Sequence, residues 1–265
     1  IFKRFSSLEF SINEWKKIIN YGNKLNIKVF FSVFDSESLK TLRMLGVKII
    51  KIPSGEINNI PLLKKINKKN YKVILSTGMS TYDEITKAVK SLNKCNLTLL
   101  HCVSEYPTMN PNLRNIISLK KKYKLKVGYS DHTNDILTPA LAVITGAQII
   151  EKHFTYNKKQ KVGDHKFSLS PKELKQMVNN IRFAEKSIGS PKRKVTKKES
   201  NLKFFARKGI YLNKNKKKGQ KIFKTDLDIL RPEGNYPVDK MHLIKNKILL
   251  KDLKKHQSIK PKFFR

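Results

Sequence analysis

The sequence predicts an α/β protein in which β-strands and α-helices alternate along most of the chain. Short apolar runs rich in strand-forming residues recur six times, near residues 28, 47, 71, 97, 125 and 147. Stretches with apolar residues at helical spacing separate these runs, and polar residues follow nearly every run. This alternation is typical of a parallel sheet flanked by helices. The runs are KVFFSVF, VKIIKI, YKVILS, LTLLHC, LKVGYS and AQIIEKHF.

The polar segments after the strands favour a closed barrel over an open sheet. They are PSGE after residue 52, STGM after 75, HCVSEYP after 100, SDHT after 129 and EKHFT after 150. An open sheet gathers its ligand groups mainly at one switch point, whereas a barrel brings the ends of all its strands to one rim. We therefore predict a (β/α)8 TIM barrel. Because six strands cannot close eight, we expect two βα units to precede Ile1, and an open sheet is the alternative.

Helical periodicity supports the elements between the strands. Ile12, Trp15, Ile18 and Ile19 share one helical face, and a similar pattern follows the third strand. A further helix is predicted from Pro171 to about Ser187, after the last strand. In the helical pattern that follows the third strand, the apolar residues are Ile85, Ala88, Val89 and Leu92.

A change in composition predicts two domains. Residues 1–187 carry the βα repeat, and the polar, proline-interrupted stretch GSPKRKVTKKES places a linker at residues 188–200. Residues 201–265 alternate short strand-like runs with turns, which predicts a small, compact second domain.

Charge and composition bear on three properties of the protein: its partners, its relation to membranes and the state of its cysteines. The net charge of +37 raises nucleic acid as a partner, but the lysines are scattered through every segment and the aromatics do not interleave with them. We therefore expect no specific nucleic-acid partner. The apolar runs are too short to span a bilayer, so we expect no membrane segment. Cys95 and Cys102 match no zinc or redox spacing, which favours free thiols in a cytoplasmic protein.

Two histidines are the strongest candidates for metal ligands. His132 and His153 each lie just past a strand, so in a barrel they would stand on adjacent strands at the same rim. Neutral imidazoles bind Mn, Fe, Co or Zn well. A single histidine is more often a hydrogen-bonded structural residue, but two at matched strand ends favour a shared metal.

Three other segments place polar side chains or backbone N–H groups at the same rim. Lys51, Ser54 and Glu56 combine a cation, a hydroxyl and a carboxylate, which suits an anionic substrate, although Ser and Glu also cap helices. Gly78 in STGMS would let backbone N–H groups approach an anion. Asp164 could orient or deprotonate a substrate hydroxyl, with an Asx turn as the alternative.

Taken in order, these motifs resemble the sialic acid synthase family, which includes N-acetylneuraminate, legionaminate and pseudaminate synthases. The resemblance covers nearly the whole chain, and the tail from Arg207 is similar to the family's C-terminal antifreeze-like (SAF) domain. The motifs are KIPSGEINNIPLL, ILSTGMS, LLHCVSEYP, GYSDHT, EKHFT and GDHKFSLSP.

The resemblance implies a TIM barrel joined to an antifreeze-like domain in a domain-swapped homodimer. The implied reaction condenses phosphoenolpyruvate with an N-acetylated, mannosamine-type sugar and releases phosphate. His132 and His153 would hold Mn²⁺, or Mg²⁺ or Co²⁺, which polarises the sugar aldehyde as a Lewis acid. Glu56 would stabilise an oxocarbenium centre or activate water beside it.

The resemblance also assigns the remaining site residues. Tyr106 would lie by the reacting carbons, and Asp164 would hold sugar hydroxyls. Arg231 and Phe205 from a partner copy would reach the N-acyl end of the sugar. Four serines and one lysine would bind substrate: Ser32, Lys51, Ser54, Ser104 and Ser130.

Three departures from the family pattern leave an alternative open. The glutamate of the family's first strand and the lysine of its second have no counterpart in this sequence. Ser104 stands where many members have Asn, and VGDH lacks a proline common between its Gly and Asp. The alternative is a non-catalytic carbohydrate-binding remnant of the same fold.

Overall fold

A computed structural model of the protein describes residues 9–160 and 163–265. The chain forms two compact units that divide between Gly189 and Ser190. This division falls inside the linker predicted at residues 188–200. The last residues of that stretch are helical, because a helix begins at Lys197 after the N-cap Thr196. The secondary structure of the second unit thus starts earlier than residue 201.

The first unit contains a six-stranded parallel sheet in which each strand pairs with the next one along the chain. This arrangement confirms the six predicted strands. A doubly wound sheet reverses its strand order at a switch point, and the sheet formed by the described residues has no such reversal. The strands are β1 (Phe31–Ser32), β2 (Ile49–Ile52), β3 (Lys72–Ser76), β4 (Asn96–His101), β5 (Lys126–Asp131) and β6 (Ile150–Lys152).

Helices connect these strands, and their first residues explain where they begin. Ser11, Thr81 and Ser170 each accept a hydrogen bond from a backbone N–H three residues on, where a glutamate returns the contact. The helix predicted from Pro171 is confirmed. The helices are α1 (Ile12–Lys24), α2 (Ser36–Met44), α3 (Ile60–Ile66), α4 (Tyr82–Ser91), α5 (Arg114–Tyr123), α6 (Thr138–Ile144) and α7 (Pro171–Ile188).

The two faces of the sheet differ in chemistry. Ile50, Ile52 and Leu75 are fully buried in the core between the sheet and its helices. The intervening residues face the other way, since successive side chains of a strand alternate. Lys51 and Ser76 are therefore directed to the opposite face, which is where the candidate site lies.

Gly128 sets the spacing of the strands at that site. A Cβ at this position of β5 would lie 2.5 Å from the Ile149 carbonyl oxygen and 2.6 Å from Leu100 Cδ2. Both distances are shorter than real contacts allow, so a side chain would push β5 away from its neighbours. Glycine here keeps β4, β5 and the segment entering β6 close together.

The second unit is built around a small antiparallel pair of strands. It contains α8 (Lys197–Ala206), β7 (Gly209–Leu212) and β8 (Leu227–Leu230), and β7 pairs with β8. Its own apolar core is formed by nine buried residues, so it is a separate packing unit. They are Ile210, Leu212, Ile222, Tyr236, Ile244, Leu249, Leu253, Ile259 and Phe263.

Among the residues that the structure describes, none of the helices combines the length and the apolar composition needed to cross a bilayer.

Candidate active site

A cavity of about 340 Å³ lies at the carboxyl ends of β2 to β6. Each of these strands contributes side chains from its last residues or from the loop that follows. The lining residues are Lys51, Pro53, Ser54, Gly55, Ser76, Met79, Cys102, Ser104, Tyr106, Ser130, His132, Glu151 and His153.

The structure brings the two candidate histidines together. The ring centroids of His132 and His153 are 5.8 Å apart, and the rings are nearly perpendicular. His132 Nδ1 lies 2.6 Å from the Val103 carbonyl oxygen. Because a carbonyl oxygen only accepts, Nδ1 carries the hydrogen and Nε2 keeps its lone pair. Burial lowers the pKa of His132, which favours the neutral imidazole needed by a metal ligand.

The surroundings of the histidines fit an open site for a borderline divalent ion. His153 Nδ1 lies 3.4 Å from Asp164 Oδ2. A carbonyl or carboxylate partner on the second ring nitrogen is the usual arrangement around metal-bound imidazoles. The described residues contain no group of three or more His, Cys, Asp or Glu side chains placed to hold an ion. Substrate or water oxygens would therefore have to complete the coordination of an ion held by His132 and His153.

Tyr106 forms one wall beside these rings. Its ring stacks on His132 with centroids 4.1 Å apart and meets the edge of His153 at 5.7 Å. Burial raises the pKa of Tyr106, so the phenol stays neutral at physiological pH. The tyrosine thus restricts the orientation of both imidazoles and offers a neutral hydroxyl to a ligand.

Lys51, Ser130 and Glu151 form a polar cluster across three strands. Lys51 Nζ lies 3.4 Å from one Glu151 carboxylate oxygen. The Ser130 hydroxyl donates to the other oxygen at 2.7 Å. The cavity therefore holds a fixed cation, a hydroxyl and a carboxylate within reach of one another.

Glu151 and Ser76 were not among the residues selected from the sequence. The signal that could have found Glu151 is the period of a strand, since it precedes His153 by two residues, as Ser130 precedes His132. Residues two apart in a strand share a face. Ser76 could have been found in the same way, two residues before Gly78.

Gly78 packs against three polar side chains of the cavity. Its N–H donates to the Ser54 hydroxyl at 3.0 Å, and that hydroxyl lies 3.3 Å from Cys102 Sγ. A Cβ at Gly78 would lie 2.3 Å from Ser104 Oγ and 2.8 Å from Cys102 Sγ. Glycine is needed for this close approach. The N–H that the sequence suggested for an anion is directed to Ser54 instead.

Five of the predicted residues do not line this cavity, and one of them, Asp164, lies next to His153. Glu56 accepts a hydrogen bond from Asn59 Nδ2 at 2.8 Å. Ser32 is exposed on β1, beside Lys51 in the strand register. Phe205 and Arg231 are exposed residues of the second unit. The roles of these five residues remain predictions.

The sheet and its cavity define the class of the first unit, an α/β protein with a polar site at the carboxyl ends of sequentially ordered parallel strands. The NeuB family profile matches residues 1–193, and the chain belongs to the NeuB family. The resemblance to sialic acid synthases is thereby confirmed.

Individual relatives agree with this assignment. The N,N'-diacetyllegionaminic acid synthase of Campylobacter jejuni is 42% identical over 260 residues, which are 96% of this chain and 78% of that protein. The pseudaminic acid synthase of Helicobacter pylori is 32% identical over 84% of this chain and 68% of its own length. The crystal structure of an N-acetylneuraminic acid synthetase from Leptospira borgpetersenii matches with a TM-score of 0.69 and 38% identity, covering 73% of this chain and 70% of that one.

Proposed function

We propose that the cavity condenses phosphoenolpyruvate with an N-acetylated, mannosamine-type sugar to give a nonulosonic acid and phosphate. The enol carbon of phosphoenolpyruvate attacks the sugar aldehyde, water adds to the resulting oxocarbenium carbon, and phosphate leaves. The observation that carries the proposal is the convergence of two imidazoles with a lysine and several hydroxyls in one cavity. This set offers separate places for a metal-bound carbonyl and for an anion.

The lysine and the hydroxyls are proposed to bind phosphoenolpyruvate. Lys51 supplies a fixed positive charge, and Ser54 and Ser130 supply hydroxyl donors for phosphate and carboxylate oxygens. Lys51 and Ser130 both contact Glu151 in the structure. Binding of the anion would therefore redirect the Lys51 and Ser130 donors from the Glu151 carboxylate to the anion. Ser32 and Ser104 would complete the set of donors.

The histidine side of the cavity is proposed to bind the sugar. His132 and His153 would hold Mn²⁺, or Mg²⁺ or Co²⁺, and the ion supplies Lewis-acid polarisation of the open-chain aldehyde when it is bound. Tyr106 lies against both rings and orients them. Asp164, next to His153, orients that ring or accepts from a sugar hydroxyl.

The rest of the predicted architecture belongs to the same proposal. Two further βα units would complete an eight-stranded barrel, and residues 201–265 would form an antifreeze-like (SAF) domain. In a domain-swapped homodimer, Arg231 and Phe205 of a partner copy would reach the N-acyl group of the sugar. Glu56 would stabilise the oxocarbenium carbon or activate the attacking water.

The proposal is tested by phosphate release. The purified chain is mixed with phosphoenolpyruvate, Mn²⁺ and either N-acetylmannosamine or a 2,4-diacetamido sugar. We expect release of phosphate that depends on the acceptor. The absence of release with every acceptor, or binding of sugar without turnover, would contradict the proposal and favour a non-catalytic carbohydrate-binding protein.

A matched pair of variants tests the anion half of the cavity. Lys51→Met should raise the KM for phosphoenolpyruvate by about tenfold or more, because a hydrogen bond to a charged group contributes about 1.5–3 kcal/mol. Lys48→Met changes an exposed lysine just before the same strand and should leave KM unaltered. Equal KM values for the two variants would remove Lys51 from the proposed site.

A further inference from the structure

A buried ion pair joins the last residues of β5 and β6. Asp131 ends β5, Lys152 ends β6, and the two are partners in the strand register. Lys152 Nζ lies 2.6 Å from Asp131 Oδ2, and the two side chains are 2% and 0% exposed, respectively. The pair is thus the final cross-strand contact before both chains leave the sheet.

Further hydrogen bonds fix both charged groups. Asp131 Oδ1 accepts from the Tyr129 hydroxyl at 3.0 Å and from the Thr133 N–H at 2.9 Å. Lys152 Nζ also donates to the Thr133 carbonyl oxygen at 2.5 Å. The pair therefore fixes the backbone at Thr133, after His132, as well as the strand that precedes His132.

The position of the pair relates it directly to the candidate histidines. His132 follows Asp131, and His153 follows Lys152. Because side chains alternate along a strand, the histidines face the cavity while the ion pair faces the helices. Neither Asp131 nor Lys152 lines the cavity. The pair therefore acts on the positions of the two histidines through the backbone segments that carry them.

Stability alone does not account for such a pair. Removing two charges from water costs about as much as their attraction returns, and apolar residues of similar volume are often as stable or more so. A buried pair instead favours one relative position of the groups that it joins, because its hydrogen bonds are satisfied in one geometry only. Here that geometry fixes the offset between two neighbouring strand ends.

We propose that the Asp131–Lys152 pair is a positioning device that sets the relation between the His132 and His153 rings. The metal-binding part of its test rests on the proposed function, whereas the arrangement of the rings is a property of the protein by itself. Asp131 and Lys152 are positioning residues, since neither touches the cavity.

The test uses the double variant Asp131→Asn/Lys152→Met in the whole chain. It removes both charges at similar volume, and the amide oxygen can still accept from Tyr129 and Thr133. Lys152→Met alone would leave a buried carboxylate unpaired, so its failure to fold would decide nothing. The control is Lys158→Met, which breaks an ion pair of the same length, 2.6 Å to Glu173, between groups that are 40% and 39% exposed.

Two readouts are measured for each protein. Mn²⁺ binding is titrated by the electron paramagnetic resonance signal of the free ion, and we expect the double variant to lose about tenfold or more in affinity. Histidine-ring ¹⁵N spectra of the metal-free proteins report the tautomer of His132, assigned with His132→Gln. We expect the Nδ1–H tautomer in the native protein and the control, and a mixture of tautomers in the double variant. The thermal midpoint should stay within about 5 °C of the native value.

The outcomes separate this inference from the proposed function. Native Mn²⁺ affinity and a native His132 tautomer in the double variant would overturn the inference. Loss of both together with unfolding would also overturn it, because the pair would then be a general structural contact. If the native protein binds no Mn²⁺, the metal part of the proposed function fails, and the tautomer comparison alone decides the inference.

Discussion

Each of the two units buries an aspartate against lysine, and the surroundings of the two aspartates differ. In the first unit, Asp131 pairs with Lys152 directly before two histidines that face a cavity. In the second unit, Asp226 contacts both Lys214 and Lys216. Burial of a charge pair therefore does not by itself indicate a functional site. The role of such a pair depends on its neighbours: next to residues that line a cavity it can position them, and elsewhere it stabilises the fold.

The contacts of Asp226 show that its role is to close a loop. The same carboxylate accepts from the Phe223 N–H at 2.9 Å, and Lys216 Nζ donates to the Lys221 carbonyl oxygen at 2.5 Å. Lys216 is itself buried. These bonds tie residues 214–226 to each other. We therefore expect the second cluster to influence stability only.

The largest expected effect comes from the histidines of the first unit. If the proposed function holds, His132→Gln and His153→Gln should each lower kcat/KM for phosphate release by about 10⁴-fold, because a Lewis acid held by these rings would supply several kcal/mol of transition-state stabilisation. Unfolding of the first unit is followed by the fluorescence of Trp15, the single tryptophan of the chain. Its midpoint should change little, since the histidines lie at a cavity rather than in the apolar core.

Two outcomes would contradict this role of the histidines. If either variant kept its activity, the cavity would not be the reaction site. If either variant unfolded the first unit, the imidazoles would be structural groups like Asp226. Lys121→Gln alters an exposed position of α5 that does not line the cavity, and it serves as the control for both measurements.

The next largest effect is on the stability of the second unit. Asp226→Asn leaves the buried Lys216 ammonium without its carboxylate, and removal of one partner from a buried pair costs about 3–5 kcal/mol. Urea unfolding followed by circular dichroism should show an earlier transition. Trp15 fluorescence, which reports on the first unit, should show an unchanged one.

The control for this prediction is Asp228→Asn, two residues further along. Asp228 is partly exposed and lies 3.9 Å from His256, so its loss should cost little. Equal destabilisation by the two substitutions would show that the buried cluster contributes no more than a surface charge.

A smaller effect is expected on acidification. Burial raises the pKa of Asp226, but hydrogen bonds from Lys214, Lys216 and the Phe223 N–H outweigh it and lower the pKa to about 2, from an ordinary value of 3.8. Because the folded pKa is the lower one, this stabilisation is complete above about pH 4 and is lost as the pH falls towards 2. The difference corresponds to about 2 kcal/mol.

The measurement is the free energy of unfolding of the second unit between pH 5 and pH 2. The native protein should lose stability over this window, and Asp226→Asn should lose less because the titrating group is gone. Parallel pH curves for the two proteins would assign acid sensitivity to other carboxylates.

The strands, helices and histidines could be predicted from the sequence because each follows from local pattern. Apolar runs and turn residues mark the strands, and the strand ends place His132 and His153 on one rim. Glu151 lies inside the EKHFT motif, in which the histidine is the more conspicuous candidate metal ligand, and it shares a strand face with His153 two residues on. The strand period alone would have found it.

The buried pairs could not be predicted in the same way. In the first unit, the sequence shows that Asp131 and Lys152 end strands, but their partnership depends on the register between strands. In the second unit, Lys214 and Lys216 belong to a lysine-rich stretch. Only the fold distinguishes the buried Lys216 from its exposed neighbours. Tertiary packing therefore decides which of many similar charges are structural.

The smallest expected effect concerns the exposed pair between Lys158 and Glu173. A hydrogen bond from Lys158, together with bonds from Ser170, lowers the pKa of Glu173 to about 2. Both partners are partly exposed, so solvent screens the interaction, and Lys158→Met should reduce the stability of the first unit by less than about 1 kcal/mol. Trp15 fluorescence in urea measures this change, and addition of 1 M salt to the native protein should produce a similar loss. A loss as large as that of Asp226→Asn would mean that exposure does not separate the two classes of ion pair, and the contrast between buried and exposed charges in this protein would fail.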